Sequence, residues 1–246
     1  MTGTIFFDLH GVLVNSRLML EGYERTLRKI YARYGFSPEE SLNFHQQGLT
    51  LFKKQITVIG STLLVGEPFL DRMAEADKEW DQLMQSFITN RISEEDLSGL
   101  ESRTVEYQAG AEIDSFYQDA KEVLSELLSD GRFRVIIASN AHSAHISGVM
   151  AGGGFLPLLE KEQIVGWDTV AAMKHNPFYF KQLLSLAQGR PFFVGNSTEE
   201  ILNANKVGMR TILLEREREV SLVAKEEAWL VVNSLYQLPE KLSEFD

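Results

Sequence analysis

The sequence predicts an α/β fold in which a doubly wound, mostly parallel sheet carries a helical segment inserted after its first strand. Three observations predict it. Short apolar runs of strand length alternate along the chain with stretches of helical periodicity. Glycines stand where the helical stretches would end. One long segment, residues 16–112, has helical periodicity and no such alternation.

Six apolar runs are predicted to be strands. The first, residues 4–7, ends at Asp8 with Gly11 close behind, which indicates a buried strand that leads into a loop. Because strands joined through helices pair by right-handed crossovers, the alternation predicts a parallel sheet. The other predicted strands are residues 133–138, 163–165, 192–194, 211–214 and 229–232. Helices are predicted between strands at residues 116–130, 178–188 and 198–207.

The segment 16–112 is predicted to be a separate helical domain, because a loop of this length is improbable inside a compact domain. Its first part, residues 18–34, places apolar side chains at helical spacing. Ser37 and Glu40 form a predicted capping box around a proline, and Ser93 is predicted to begin another helix in a related way. The chain is thus divided into a core domain, residues 1–15 and 113–246, and a cap domain, residues 16–112.

The composition excludes several classes of protein. The 246 residues are 44% hydrophobic and 24% charged, and the absence of cysteine rules out disulfides, thiolate nucleophiles and cysteine-bound zinc. The formal net charge of −11 argues against a nucleic-acid partner, because no basic surface stands out to neutralise phosphates. No secretory signal and no apolar run of membrane-spanning length is visible, so we expect a cytoplasmic protein without a membrane partner. The sequence does not indicate the oligomeric state.

Unusual polar residues follow the predicted strands. In a parallel α/β sheet the loops after the strand C-termini share one edge, and ligands bind there. Each residue alone has an ordinary explanation as a turn or helix cap, a surface lysine or an acid in a first helical turn. Together they indicate a site, since the topology brings them to one place. They are Asp8, His10, Ser139, Asn140, Lys174, Asn196, Glu199 and Glu200.

Four motifs around these residues resemble, in order, those of the haloacid-dehalogenase-like hydrolase superfamily. Residues 7–13, Phe-Asp-Leu-His-Gly-Val-Leu, resemble the first motif, and residues 137–140, Ile-Ala-Ser-Asn, resemble the second. Residues 174–178 resemble the third motif, which begins with lysine, and residues 193–201 resemble the fourth. The resemblance extends over essentially the whole predicted core. It implies a flavodoxin-like core domain with a helical cap inserted after the first motif.

The resemblance implies hydrolysis of a small phosphate ester through a covalent intermediate. In the family's phosphatases a carboxylate, here Asp8, attacks phosphorus and forms an aspartyl-phosphate. The residue two positions on, here His10, protonates the leaving oxygen and then helps to activate water. Ser139 would bind a phosphoryl oxygen, and Lys174 would neutralise charge. The implied substrate-binding residues are Leu9, Gly11, Ser139, Asn140 and Lys174.

The resemblance also implies Mg²⁺ bound by Asp8, the backbone carbonyl of His10, Asn196 and Glu200. Two of these residues depart from the family pattern. His10 stands where most of the phosphatases have Asp, although imidazole can act as acid or base near neutral pH. Asn196 replaces an acidic residue, which removes one formal charge from the metal's ligands. These changes weaken the predicted metal site without abolishing it.

Two alternatives stay open. One is a metal-independent hydrolase like the 2-haloacid dehalogenases, which attack carbon rather than phosphorus; the departures at His10 and Asn196 loosely resemble that branch. The other is a catalytically degenerate member of the fold that binds a ligand or partner. The intact set of Asp8, Ser139 and Lys174 argues against degeneration.

Other polar side chains are expected to be structural or exposed. His142 and His145 lie three residues apart on a predicted helix, and we expect them on the surface rather than in a metal site. Tyr23 is expected in the core of the cap. Several cap residues could recognise an anionic leaving group, although ordinary surface charges are commoner. They are Arg17, His45, Lys53, Lys54 and Arg72.

Overall fold

The computed structural model describes residues 2–60, 64–88, 101–216 and 220–243. At its centre lies a sheet of six strands, all parallel, in the order β3-β2-β1-β4-β5-β6. The order runs in opposite directions on the two sides of β1, so the sheet is doubly wound, and the predicted fold class is confirmed. The strands are β1 (Gly3–Phe7), β2 (Phe133–Ala138), β3 (Ile164–Val165), β4 (Arg190–Gly195), β5 (Arg210–Leu214) and β6 (Leu230–Val232).

Helices occupy the crossovers and the insertion. They are α1 (Ser16–Arg33), α2 (Pro38–Gly60), α3 (Glu67–Ile88), α4 (Ser102–Ala111), α5 (Gln118–Asp130), α6 (Ser143–Gly152), α7 (Trp167–Val170), α8 (Pro177–Ser185), α9 (Thr198–Lys206), α10 (Leu222–Glu227) and α11 (Leu238–Ser243). None of the helices in the described ranges is both long and apolar enough to cross a membrane.

Local sequence signals fix several helix ends. The capping box at the start of α2 is confirmed: Ser37 Oγ accepts a hydrogen bond from the Glu40 N–H at 3.2 Å, and the Glu40 carboxylate accepts one from the Ser37 N–H at 2.8 Å. Gly131 ends α5 with a left-handed φ of 67°, as its position predicts. The helix predicted to begin at Ser93 lies outside the described residues.

Alternate side chains of β1 enter two separate cores. Ile5 and Phe7 pack in the cluster that includes residues of α5 and α6, whereas Phe6 packs with α8 and α9 on the other face. All five residues of the strand are buried. A strand covered by helices on both faces is apolar throughout rather than alternating. This burial holds β1 rigidly beneath the loop that begins at Asp8.

The inserted helices α1 to α4 share a small core of their own. Leu27 and Tyr31 of α1 pack with Phe44 of α2 and Val105 of α4, and Trp80 of α3 packs against this cluster. An insertion with its own apolar cluster is what the segment's helical periodicity predicts. Its description as a cap domain with boundaries at residues 16 and 112 stays a prediction.

Glycines allow the insertion to approach the sheet-packed helix α6 closely. A Cβ added at Gly148 would overlap the backbone of Tyr107 in α4, and one added at Gly110 would lie 2.6 Å from the backbone nitrogen of Val149. The backbones of α4 and α6 therefore touch directly. Because backbone atoms cannot rotate away as side chains do, this contact fixes where α4 meets the sheet domain.

We predict that Gly148→Ala lowers the free energy of unfolding by about 1–3 kcal/mol, because the added methyl group overpacks the contact between α4 and α6. Alanine is the better helix former by about 0.8–1.0 kcal/mol, so helix propensity alone predicts the opposite sign. Urea denaturation measures the change. The control is Ser147→Ala at the neighbouring, half-buried position of α6. A Gly148→Ala protein as stable as the wild type would show that the two helices do not touch as described.

Candidate active site

A buried lysine joins two carboxylates at the C-terminal edge of the sheet. Lys174 Nζ donates hydrogen bonds to Asp8 Oδ1 and, at 2.9 Å, to Glu200 Oε1. Lys174, Asp8 and Glu200 are 3%, 5% and 9% exposed, so all three charges are removed from water. The backbone N–H of Leu9 also donates to Asp8 Oδ1, at 2.7 Å. Asp8 directly follows β1 and Glu200 lies in the first turn of α9, so strand and helix together set this geometry.

Two carboxylates share one ammonium group in this trio, and this excess of negative charge governs the pKa values of Asp8 and Lys174. Burial and the charge of Glu200 outweigh the attraction of Lys174 and raise the pKa of Asp8 to about 7. Burial alone would lower the pKa of Lys174, but the two carboxylates outweigh it and raise that pKa. Lys174 is therefore a permanent cation at neutral pH. Asp8 takes up or releases its proton near neutrality.

Side-chain amides hold the segment that carries Lys174. Asn140 Oδ1 accepts a hydrogen bond from the Lys174 backbone N–H at 2.8 Å. Asn203 Nδ2 donates to the backbone carbonyls of Lys174 and His175 at 3.1 and 3.0 Å. Asn140, whose backbone amide is expected to help bind the substrate, thus uses its side chain to position the lysine. Asn203 was not identified from the sequence as a site residue. Its position three residues after Glu200, which places both on one face of α9, is the signal that could have done so.

The loop after β1 uses two of the predicted substrate-binding amides for itself. The Leu9 N–H is bonded to Asp8, and the Gly11 N–H donates to the Val14 carbonyl at 2.8 Å. Gly11 has a φ of 76°, in the left-handed region that favours glycine. Its observed role is to turn the loop. Ser139 is buried beside this loop, with its Oγ 3.4 Å from His10 Nδ1.

His10 begins a chain of polar contacts that leads into the insertion. His10 Nε2 lies 3.2 Å from His145 Nε2, and the two rings stack with their centroids 5.2 Å apart. His145 Nδ1 is hydrogen-bonded to the hydroxyl of Tyr23 in α1, and that hydroxyl donates to the Glu106 carbonyl of α4 at 3.2 Å. The expectation of a surface position for His145 is wrong, because the residue is 7% exposed. Its helix, α6, packs against the sheet on one side and α4 on the other, which sequence periodicity alone did not indicate.

One set of proton positions satisfies the chain when both imidazoles are neutral. With the Tyr23 hydroxyl proton directed to the Glu106 carbonyl, His145 Nδ1–H donates to the tyrosine oxygen. His145 Nε2 then accepts from His10 Nε2–H, and His10 Nδ1 is left to accept the Ser139 hydroxyl proton. Burial lowers the pKa of His10 to about 4 and that of His145 to about 3, which keeps both rings neutral near pH 7.

The predicted metal ligands lie together, but two of them contact each other. Asn196 Nδ2 donates a hydrogen bond to the His10 backbone carbonyl at 3.3 Å. Glu200 Oε2 is buried and has no hydrogen-bond partner among the described residues, and a cation would satisfy it. Within the described ranges, no three His, Cys, Asp or Glu side chains cluster as metal ligands. The available donors are oxygens from two carboxylates, one carbonyl and one amide, the ligand chemistry that Mg²⁺ prefers.

A cavity of about 390 Å³ lies beside His10, between the inserted helices and the sheet domain. Pockets that hold small organic ligands measure about 300–1,000 Å³. Tyr23, expected in the cap core, lines this cavity instead. The wall is largely apolar and aromatic, and includes Met19, Tyr23, Leu27, Trp80, Trp167 and Met173.

Among the described cations of the insertion, Arg103 lines the cavity, whereas Arg17, Lys54 and Arg72 lie at the surface. Arg17 and Arg72 are paired with Glu21 and Glu75 at 3.4 and 2.6 Å on the surface, and Lys54 is exposed. The side chains of His45 and Lys53 lie outside the described part of the chain. Arg103, which the sequence analysis did not single out, lines the cavity. Its pairing with Glu106 is local, but its contacts with Asp77 and Trp167 join segments far apart in sequence, which no local pattern indicates.

Comparison with known proteins identifies the family. A family model for haloacid dehalogenase-like hydrolases matches residues 2–208. Among similar solved structures is L-2-haloacid dehalogenase from Xanthobacter autotrophicus, with 15% identity, a TM-score of 0.53 and 99% of each chain covered. A HAD phosphatase from Thermococcus onnurineus has 17% identity, a TM-score of 0.51 and 98% of each chain covered. The magnesium-bound YfnB from Bacillus subtilis has 14% identity, a TM-score of 0.56 and 97% of each chain covered. A search of curated proteins finds no match.

The fold and the site define a doubly wound α/β protein with a buried lysine–carboxylate centre at the sheet edge and a helical insertion above it. The chain belongs to the haloacid dehalogenase-like hydrolase family. The similar structures include both dehalogenases and phosphatases, and at these identities they share the fold alone. The reaction type must therefore be argued from the site.

We predict that Asp8→Asn stabilises the metal-free protein more at about pH 8 than at about pH 5. Because the pKa of Asp8 is raised from 3.8 to about 7 on folding, the unfolded chain loses the proton first, and stability falls as pH rises between these values. Asparagine does not ionise, so it removes this loss of stability at high pH and leaves the charge of Lys174 balanced by Glu200 alone. Urea denaturation in a chelator at both pH values measures the difference, with the exposed Asp130→Asn as control. An equal effect of Asp8→Asn at both pH values would contradict the raised pKa.

Proposed function

We propose that the protein hydrolyses a small phosphate monoester through an ester formed on Asp8. The observation that supports this most directly is the state of the Asp8 carboxylate. Its Oδ1 is held by Lys174 and the Leu9 amide, while no hydrogen bond from the described residues reaches Oδ2. One oxygen is therefore anchored and the other is left as a nucleophile, at the edge of the sheet where ligands of α/β proteins bind.

The first half-reaction forms one bond and breaks another at phosphorus. Asp8 Oδ2 attacks the phosphorus, and the bond to the ester oxygen breaks, which leaves an aspartyl-phosphate and an alkoxide that takes its proton from solvent water. Lys174 stays next to the attacking carboxylate and balances the charge that moves onto the phosphoryl oxygens. Ser139 is buried beside His10, from where its hydroxyl can turn to a phosphoryl oxygen.

The second half-reaction needs a base, and we propose that His10 takes that part. A water molecule attacks the phosphorus of the intermediate, His10 Nδ1 accepts the water proton, and Asp8 is released as a carboxylate. The neutral ring has this lone pair available once Ser139 turns to the phosphoryl group. His145 and Tyr23 hold the ring through its other nitrogen. Residue 10 is thus better placed as a base than as the donor to the leaving oxygen.

Mg²⁺ fits the charge of a phosphate substrate at this site. Two carboxylates against one ammonium give a net charge of −1, to which a phosphate ester adds further negative charge. Asp8 and Glu200, with the His10 carbonyl and Asn196, would hold the ion, and the unpartnered Glu200 Oε2 supports this assignment. When bound, the ion would offset the negative charge on the phosphoryl oxygens. The proposed partners are thus a phosphate ester and Mg²⁺, with no nucleic acid or membrane.

A second candidate is metal-independent hydrolysis of a carbon–halogen bond, with Asp8 attacking carbon. A specific observation favours it: Asn196 Nδ2 donates to the His10 carbonyl, so one of the four proposed metal ligands already has a partner without a cation. A carbon centre also needs less positive charge around it than a phosphoryl group. Activity measured after a chelator has removed the metal therefore separates the two candidates.

We predict that Asp8→Asn abolishes turnover, because the amide cannot form the ester, whereas the exposed Asp130→Asn leaves the rate unchanged. Hydrolysis of para-nitrophenyl phosphate measures the loss. A single turnover in water enriched in oxygen-18 then tests the intermediate: a carbon-bound Asp8 ester takes the label into the carboxylate, while a phosphoryl ester sends it to phosphate. Full activity of Asp8→Asn would rule out both covalent reactions. No turnover of any phosphate ester or haloacid, with saturable ligand binding, would indicate a degenerate protein.

We predict that Glu200→Gln raises the Mg²⁺ concentration needed for half-maximal phosphatase activity by at least about tenfold, because a charged ligand is lost. The matched control is Glu199→Gln, since Glu199 is the exposed neighbour in the same helical turn. A chelator should stop the phosphatase reaction and Mg²⁺ should restore it. Asn196→Asp should act in the opposite direction and lower the Mg²⁺ requirement. Turnover of 2-chloropropionate that persists in the chelator would favour the second candidate.

A further inference from the structure

The cavity beside His10 has a composition that restricts what it can bind. His10 and Asn140 of the candidate site form part of its wall, and it lies between the sheet domain and helices α1, α3 and α4. A substrate that places its reacting atom at Asp8 would have its remaining part in this space. The chemistry of the wall therefore describes the part of the substrate that does not react.

The charged groups of the wall are already paired with each other. Arg103 donates to Glu106 at 2.8 Å and to Asp77, and its guanidinium lies 5.1 Å from the centre of the Trp167 ring. One arginine against two carboxylates leaves this group without spare positive charge. Burial lowers the pKa of His142 to about 4, so that ring adds no cation near neutral pH. Among the described lining residues, none offers an unpaired cation to a second phosphate or a carboxylate.

Two fixed indole rings line the cavity. Trp167 is held by the edge of His142 at 5.1 Å and by Phe69 at 5.9 Å, between ring centroids. Trp80 packs against Phe44 at 6.2 Å. Rings held by neighbours in this way present flat apolar surfaces that do not have to be ordered when a ligand binds. They favour a planar ligand.

One hydrogen-bond donor in this wall is unused. The indole N–H of Trp80 is buried and has no hydrogen-bond partner among the described residues. A buried donor without a partner is costly, and an acceptor atom on a ligand would remove that cost. The cavity therefore combines aromatic walls with an indole N–H that lacks a partner among the described residues.

We propose that the part of the substrate held in this cavity is an uncharged aromatic group that carries one hydrogen-bond acceptor. The inference rests on the proposed function only for the reacting end of the molecule, since the cavity binds the other end. An aryl phosphate, or an aromatic ring joined to the reacting ester by a short link, belongs to this class. Sugar phosphates and compounds with a second anionic group do not.

Binding of a product-like aryl alcohol tests the proposal without any need for catalysis. The probe is 1-naphthol, titrated into the Asp8→Asn protein and followed by tryptophan fluorescence. The chain has three tryptophans, and two of them, Trp80 and Trp167, line the cavity. We expect saturable quenching by 1-naphthol and binding at least about tenfold weaker for 4-hydroxy-1-naphthoate, which keeps the 1-naphthol skeleton and adds a carboxylate. Absence of saturable 1-naphthol binding, or equal binding of the two compounds, would overturn the proposal.

Single-residue variants locate the bound ring. Trp80→Phe keeps an aromatic ring but removes the N–H, and we expect 1-naphthol to bind about 2- to 10-fold more weakly, as the loss of one hydrogen bond predicts. The matched control is Trp229→Phe, because Trp229 packs on Phe192 of the sheet at 5.6 Å and not on the cavity. Trp229→Phe should leave the affinity for 1-naphthol unchanged, and 1-naphthol should still quench the fluorescence of Trp80 and Trp167. Equal effects of the two variants would place the ligand elsewhere.

Enzyme activity provides the last test, and it distinguishes a wrong cavity assignment from a wrong proposed function. With wild-type protein and Mg²⁺, we expect kcat/KM for 1-naphthyl phosphate to exceed that for glycerol 3-phosphate by at least about tenfold. If naphthol binds but neither phosphate is hydrolysed, the proposed reaction is wrong and the cavity assignment stands. If both phosphates are hydrolysed at equal kcat/KM, the cavity assignment is wrong and the reaction stands.

Discussion

The shared hydrogen bonding of Lys174 is the constraint on which the rest of the site depends. Its ammonium group lies between Asp8 and Glu200 in a nearly water-free position, where one base cannot fully balance two acids. Breaking a buried ion pair leaves an uncompensated charge, which is costly. The trio therefore locks the end of β1 to the start of α9. It also keeps the candidate nucleophile near the point of proton loss, which explains why Asn140 and Asn203 hold the lysine segment so firmly.

The sequence predicted the parts of this structure that depend on local pattern. The six strands, the helix ends at Gly131 and Ser37, and the sheet edge shared by Asp8, Lys174 and Glu200 follow from apolar periodicity, capping residues and topology. These features need only short stretches of chain and one general rule about parallel sheets. The family model agrees with the motifs from which the fold was expected.

The missed features come from contacts between distant segments. His145 was expected at the surface because no acidic third partner at a fixed spacing marked a metal site, whereas α6 is covered by the sheet domain on one side and by α4 on the other. Gly148 and Gly110 make that second covering possible, and no pattern within either helix indicates which partner helix they admit. Tyr23 and Arg103 were missed for the same reason, since their partners lie in other helices of the fold. The insertion's own packing therefore determines half of the site.

The chain of contacts from Ser139 through His10 and His145 to Tyr23 joins the two halves of the molecule chemically. The ring of His10 belongs to the loop after β1, whereas Tyr23, at the other end of this series of contacts, belongs to α1 of the insertion. A shift of α1 relative to the sheet would release His145 Nδ1 and remove the reason for His10 to present Nδ1 to the site. The glycine contact between α4 and α6 opposes such a shift. In this protein the same close approach of helices helps to form the cavity beside His10 and keeps His145 within reach of both His10 and Tyr23.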